Sequence, residues 1–145
     1  MNWKEEAKRE LRMYDALRAS VENVAERIEW IESQKTSIKS ASSGVAPVQG
    51  GGNRYEDRLL DLIVQEERLR LTLDADRVRL SLIERGLAVL SERERLVALT
   101  FASCRSSDAV DQLSGQLYLE RAQIYRLWDA ALYRYTIAEY GIQEY

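Results

Sequence analysis

Histidine is absent from this 145-residue chain, and cysteine, proline and phenylalanine occur once each. Without histidine, neither a Ser-His-Asp triad nor a histidine-containing zinc site can be assembled. The lone Cys104 has no partner for an internal disulfide. It suits a reducing compartment and reads as a small hydrophobe rather than a nucleophile. One proline and one phenylalanine, with 31% charged residues, fit helices better than a sheet. No run approaches the ~20 uncharged apolar residues that a membrane span requires. The opening "MNWKEEAKRE" is charged from the start and lacks the apolar core of a secretion signal, so the expected location is the cytoplasm. A basic excess is also missing: 21 basic side chains face 24 acidic ones, for a net charge of −3. Most nucleic-acid affinity comes from neutralised phosphates, so strong unassisted binding to a polyanion is not expected.

The carboxylates that are present alternate with arginine and lysine along helix faces, as at Glu66 and Arg70, which marks solvated surface. The "GGG" at 50–52 has no following Lys-Ser/Thr and no preceding strand, so it is a connector rather than a phosphate loop. These features predict a chain that is not an enzyme and that needs no metal or cofactor.

What the sequence does have is heptads. From Trp3 to Ile38 one seam reads Ala7, Tyr14, Val21, Ile28, and the other Trp3, Leu17, Val24, Ile31, Ile38. Glu10 and Lys35 interrupt them. The repeat resumes from Tyr55 to Leu90, through Tyr55, Leu62, Leu69, Ile83, Leu90 and through Leu59, Leu73, Leu80, Leu87, with Glu66 and Asp76 as interruptions. Alternating three- and four-residue spacing lets helices wrap around each other. Between the two segments lies "ASSGVAPVQGGGN", residues 41–53, with four of the seven glycines and the only proline, enough to reverse the chain. The pattern predicts a long antiparallel helical, coiled-coil-like hairpin over residues 1–90. Its helices span about 3–39 and 54–90, each arm reaching ~50 Å. Seams of this length also recruit partners, so a homodimer through the hairpin is a candidate.

The segment 91–145 has another character. Ser91 followed by Glu94 is a capping box opening a short helix to about Ser103. "CRSSD" then offers Ser106 or Ser107 as the next cap, with Asp108 complementing the helix dipole. "AVDQLSGQL" forms a second short helix. A third starts at Glu120 and stops near Gly141. Two short helices, a tight turn and a longer helix are the parts of a helix-turn-helix. Leu113, Leu117, Leu119, Ile124 and Leu127 would close its small core, with Ser114 where the helices cross. Arg121, Gln123, Tyr125 and Arg126 are left on or beside the outer face. In this motif such positions enter a major groove, where Arg and Gln form bidentate hydrogen bonds to guanine and adenine.

"LSERERLVALTF" followed by "LSGQLYLERAQIYRLWDAAL" resembles region four of sigma-70-type factors over about residues 90–135. Ile124, Leu127, Ala131 and Leu132 fall on the closing apolar positions. The whole layout, including "V-Q-G" at Val48 to Gly50, is similar to phage and prophage transcriptional regulators of the ArpU/RinA-like kind. The resemblance implies an all-α chain with a three-helix, sigma-region-four-like domain at residues 91–145. It implies promoter binding to double-stranded DNA through Arg121, Gln123, Tyr125 and Arg126, with contact to RNA polymerase, inside a bacterial host. Tyr118 replaces the usual small turn residue and Glu120 the usual Ser or Thr cap. Ala122 stands where sigma factors place a base-reading glutamate, and Asp129 replaces a frequently basic position. The implied target therefore differs from the standard promoter element. From Ser91 onward there are six arginines, no lysine and eight acidic residues, so binding is expected to need a dimer or polymerase. The competing expectation is a coiled-coil interaction scaffold without DNA contact.

Overall fold

The computed structural model describes residues 2–42 and 54–141, and these are all-α. Five helices follow one another: α1 (Trp3–Ser42), α2 (Arg54–Ala88), α3 (Glu92–Ser103), α4 (Ser106–Leu117) and α5 (Arg121–Tyr140). No strand occurs among the described residues, and none of their helices is long and apolar enough to cross a membrane. Helix α1 runs to Ser42, past the expected end at 39, because no glycine or proline intervenes before Gly44. Helix α2 stops at Ala88, two residues short of expectation. The rest of the expected glycine-rich loop, including Val48 to Gly50, lies outside the described residues.

The chain folds as two compact units, Leu17–Val78 and Met1–Ala16 together with Arg79–Tyr145. In the first, α1 and α2 run antiparallel: Ser20 hydrogen-bonds Asp76 at 2.8 Å, Glu32 pairs with Arg70, and Lys35 pairs with Glu66 at 2.9 Å. Ile31, Ile38 and Leu62 form the core, with Leu59 and Leu69 against it. Tyr55, expected on a seam, is exposed instead. Glu66 is buried, and its carboxylate is flanked by Lys35 and, at 3.4 Å, Arg70. The Lys35 hydrogen bond, reinforced by both positive charges, outweighs burial and holds Glu66 below the usual carboxylate range. The polar interruptions of the heptads in this unit are thus one buried ion-pair cluster and one hydrogen bond. Helix α2 also carries a second apolar row, Leu60, Val64, Leu71 and Val78, exposed by 59%, 45%, 71% and 62%. At ~100° per residue these four share an arc of about 40°.

The other unit is built on α5. Ala7 and Leu11 of α1, Ile83 and Leu87 of α2, Val97, Ala98 and Phe101 of α3, and Ala109, Val110 and Leu113 of α4 are buried. They are joined by Ile124, Trp128, Ala131, Leu132 and Tyr135 of α5 itself. Phe101 and Trp128 stack with centroids 4.9 Å apart and planes 2° from parallel. Gly86 lets α2 approach the ring of Tyr135, where any β-carbon would collide. The capping box at the start of α3 is formed: Oγ of Ser91 accepts from the Glu94 amide, and the Glu94 carboxylate accepts from the Ser91 amide, both at 3.1 Å. Glu94 is buried and also pairs with Arg134 of α5 at 3.3 Å.

Candidate functional site

The outward part of this unit is the α4–α5 corner. The N-cap of α4 is Arg105, whose carbonyl accepts the Ala109 amide at 2.9 Å, and no side chain caps the helix. This corrects the expectation for Ser106 and Ser107. Ser106 is already the first helical residue, so its hydroxyl comes too late to serve the orphan amides. Helix α4 ends on Tyr118, a left-handed residue (φ 56°, ψ 40°) whose amide donates to Ser114 O at 3.0 Å. It is the single non-glycine residue with positive φ among the described residues. Leu113 and Ile124 close the corner completely buried, while Leu117, Leu119 and Leu127 are half-buried.

All four predicted contact residues lie in the first two turns of α5, and all are exposed. Their situations differ. Arg121, at the first helical position, reaches Asp111 of α4 at 3.7 Å, and both side chains are well exposed. At that distance and exposure the pair is weak. Gln123 is committed to the backbone: its Oε1 accepts the Glu120 amide at 2.9 Å, so it serves the helix start. Tyr125 leans on Phe101, with centroids 6.0 Å apart and planes tilted by 49°. Arg126 makes no ion pair among the described residues and projects from α5 one turn after Ala122.

Two further residues shape this surface. Tyr118 is 92% exposed at the head of the corner. An aromatic where the turn demands a left-handed residue was its sequence signal. Lys4 of α1 pairs with Asp129 at 2.6 Å, neutralising the acid that stands among the outward residues of α5. Nothing local announces that contact, since 125 residues separate the partners. Cys104, at the C-cap of α3, lies 3.8 Å from Nε2 of Gln112. No cluster of three or more Cys, Asp or Glu side chains suited to a metal ion occurs among the described residues.

No protein-family model matches the chain, and neither a curated protein nor a solved structure matches it. The surface must therefore be read from its own chemistry. It offers two arginines, a tyrosine hydroxyl on each side of the corner, and backbone amides at the start of α5. Exposed guanidinium groups suit a ligand rich in hydrogen-bond acceptors.

Proposed function

We propose that this chain is a phage-type transcriptional regulator that binds promoter DNA through a helix-turn-helix made by α4, the Tyr118–Glu120 turn and α5, with contact to RNA polymerase. The observation that carries the reading is Arg126, exposed on the side of α5 opposite the buried Ile124 and Trp128, together with Arg121, exposed at the first position of the helix. The resemblance of the segment 90–135 to region four of sigma-70-type factors supports it. With Gln123 occupied at the helix start, the two arginines carry base reading, which favours guanine edges. Asp129 adds less repulsion than its charge suggests, because Lys4 sits on it. The acidic balance of the chain still keeps intrinsic affinity modest and makes polymerase or a second copy part of the bound complex.

The test is selection of binding sites from random duplexes, with and without RNA polymerase. Enrichment is expected, with retention falling steeply as salt rises. Arg126→Ala should abolish enrichment while leaving the melting temperature unchanged. No enriched sequence under either condition overturns the DNA reading.

A second reading, a coiled-coil protein that pairs with its own kind and touches no DNA, is favoured by the exposed row Leu60, Val64, Leu71 and Val78. It predicts a dimer by sedimentation that Leu71→Glu converts to a monomer, together with a failed selection.

A further inference from the structure

Where the last turns of α5 meet α1, two carboxyl groups, Glu10 and Glu139, gather around Tyr135. Tyr135 is fully buried and donates its hydroxyl proton to Oε2 of Glu10 at 3.0 Å. Glu139, one turn after Tyr135, is influenced by both the Tyr135 hydroxyl and the Glu10 carboxyl. Oε2 of Glu139 and the hydroxyl of Tyr140 are buried without a hydrogen-bond partner. Trp3 covers the Tyr140 ring, with centroids 4.8 Å apart.

The groups that act on the pair are acidic or phenolic, and Arg9 beside them is engaged by Glu6 at 3.2 Å. From α1 come Glu10 and, beyond it, Glu6; from α5 come Tyr135 and Tyr140. Helix α2 presents the bare backbone of Gly86 to the Tyr135 ring, and its Glu84 is engaged by Tyr14 at 3.5 Å. No lysine or arginine acts on Glu139. Two neighbouring carboxylates in a half-buried site cannot both stay ionised cheaply, whereas a proton on Glu139 supplies the missing donor.

We propose that Glu139 keeps its proton beside Glu10 and Tyr135 and forms a pH-sensitive latch between α1 and the last turns of α5. In the closed state neutral Glu139 donates through its otherwise orphaned Oε2 to the Glu10 carboxylate, and the Tyr135 hydroxyl supplies that carboxylate with a second donor. Release of the proton to solvent leaves two negative charges facing each other and loosens the α5 terminus. Burial first, then the neighbouring Glu10, pushes Glu139 up to about 7, against the opposing hydrogen bond from Tyr135. The unfolded chain ionises this glutamate near its ordinary value of 4.5. Stability from protonated Glu139 is therefore complete below that value and is lost as pH rises through about 7.

The experiment uses the full chain labelled with 13C at glutamate side chains. The Glu139 carboxyl resonance is expected to titrate with a midpoint near 7. Amide exchange at the end of α5, corrected for its intrinsic pH dependence, should accelerate across the same interval. Glu139→Gln, which keeps a neutral donor, should abolish that acceleration and melt at a pH-independent temperature from about pH 5 to about pH 8. A Glu139 resonance that titrates in the ordinary carboxylate range overturns the proposal, and so does exchange that ignores pH. The wild-type titration decides the matter even where the variant fails to fold.

Discussion

A β-carbon placed on Gly86 would stand 2.5 Å from Cε2 and 2.8 Å from Cδ2 of Tyr135. The tyrosine cannot swing aside, because its ring is wholly buried and its hydroxyl is fixed on Glu10. Glycine in a helix interior costs about 1 kcal/mol relative to alanine, so Gly86→Ala would help α2 in isolation. Overpacking of a closed core costs about 1–3 kcal/mol or more, and here the obstacle is an aromatic ring. Gly86→Ala should lower stability by roughly 2 kcal/mol in urea unfolding. Gly115 of α4 is the control: no heavy atom lies within 4 Å of its added β-carbon, so Gly115→Ala should stabilise by about 0.5–1 kcal/mol. A neutral or stabilising Gly86→Ala would show that α2 and α5 do not approach through this glycine.

Tyr118 poses the converse test. An L-residue in the left-handed region costs roughly 1–2 kcal/mol, and this side chain, 92% exposed, recovers almost none of it through packing. Glycine would remove that cost but lose about 0.5–1 kcal/mol to the greater freedom of the unfolded chain. Tyr118→Gly is expected to raise stability by about 0.5–1 kcal/mol, and Tyr118→Val to lower it, since a β-branched residue tolerates positive φ poorly. If the strained tyrosine is retained for a ligand, the stabilised glycine variant should bind promoter DNA more weakly. Equal affinity of the two proteins would leave Tyr118 without a part in binding.

How legible each element was depended on the range of the contacts that define it. Ser91 and Glu94 are three residues apart, so their capping box could be read directly from the chain. The breaks at Glu10, Lys35, Glu66 and Asp76 were visible as polar residues in apolar seams. Their partners were not, because pairing Lys35 with Glu66 or Ser20 with Asp76 requires the register of two helices, and Glu10 finds Tyr135 across 125 positions. The outward face of Arg126 followed from helical spacing, whereas Arg121 falls on the row of Ile124 and Trp128 and is exposed because it opens the helix. The role of Gln123 did not follow from spacing, because it turns on where α5 begins; Glu120 in the cap position with glutamine three residues on was the available clue. Heptad bookkeeping also assigned α2 a single apolar face. The exposed row at Leu60, Val64, Leu71 and Val78 is a second one, hidden while the residues were sorted into seams.

Glu66 should give the Leu17–Val78 unit a pH dependence opposite in sign to that of Glu139. Its folded value lies below the ordinary one, chiefly through the Lys35 hydrogen bond. The contribution is therefore present above the unfolded value near 4.5 and disappears as pH falls through the lowered folded value. Lys35→Met removes the main partner and leaves a buried carboxylate with Arg70 alone, at an expected cost of about 1–3 kcal/mol at neutral pH. That cost should shrink toward acid pH as Glu66 becomes neutral. Urea midpoints of wild type, Lys35→Met, Glu66→Gln and the double variant at two pH values would test this. A Lys35→Met penalty that is the same at both values would mean that the buried pair is not what holds this register.

Gln123 separates a structural from a recognition role on the same side chain. Its Oε1 accepts the Glu120 amide, one of the donors that a helix start leaves unpaired. Gln123→Ala should cost roughly 0.5–1 kcal/mol through this lost bond. Gln123→Glu keeps an acceptor at the same reach and places a negative charge near the positive end of the α5 dipole. It should be neutral or stabilising by a few tenths of a kcal/mol, or about 0.3. The glutamate has no amide to donate, so it cannot make the bidentate contact with adenine that the free glutamine could. If Gln123 acts only at the helix start, Gln123→Glu should select the same DNA sites as wild type, apart from a uniform weakening due to charge. If the glutamine leaves the backbone to read a base, the selected sequence should change at one position while the melting temperature holds. Comparing the logos and melting curves of these two variants therefore shows whether base reading in this chain rests on the arginines alone.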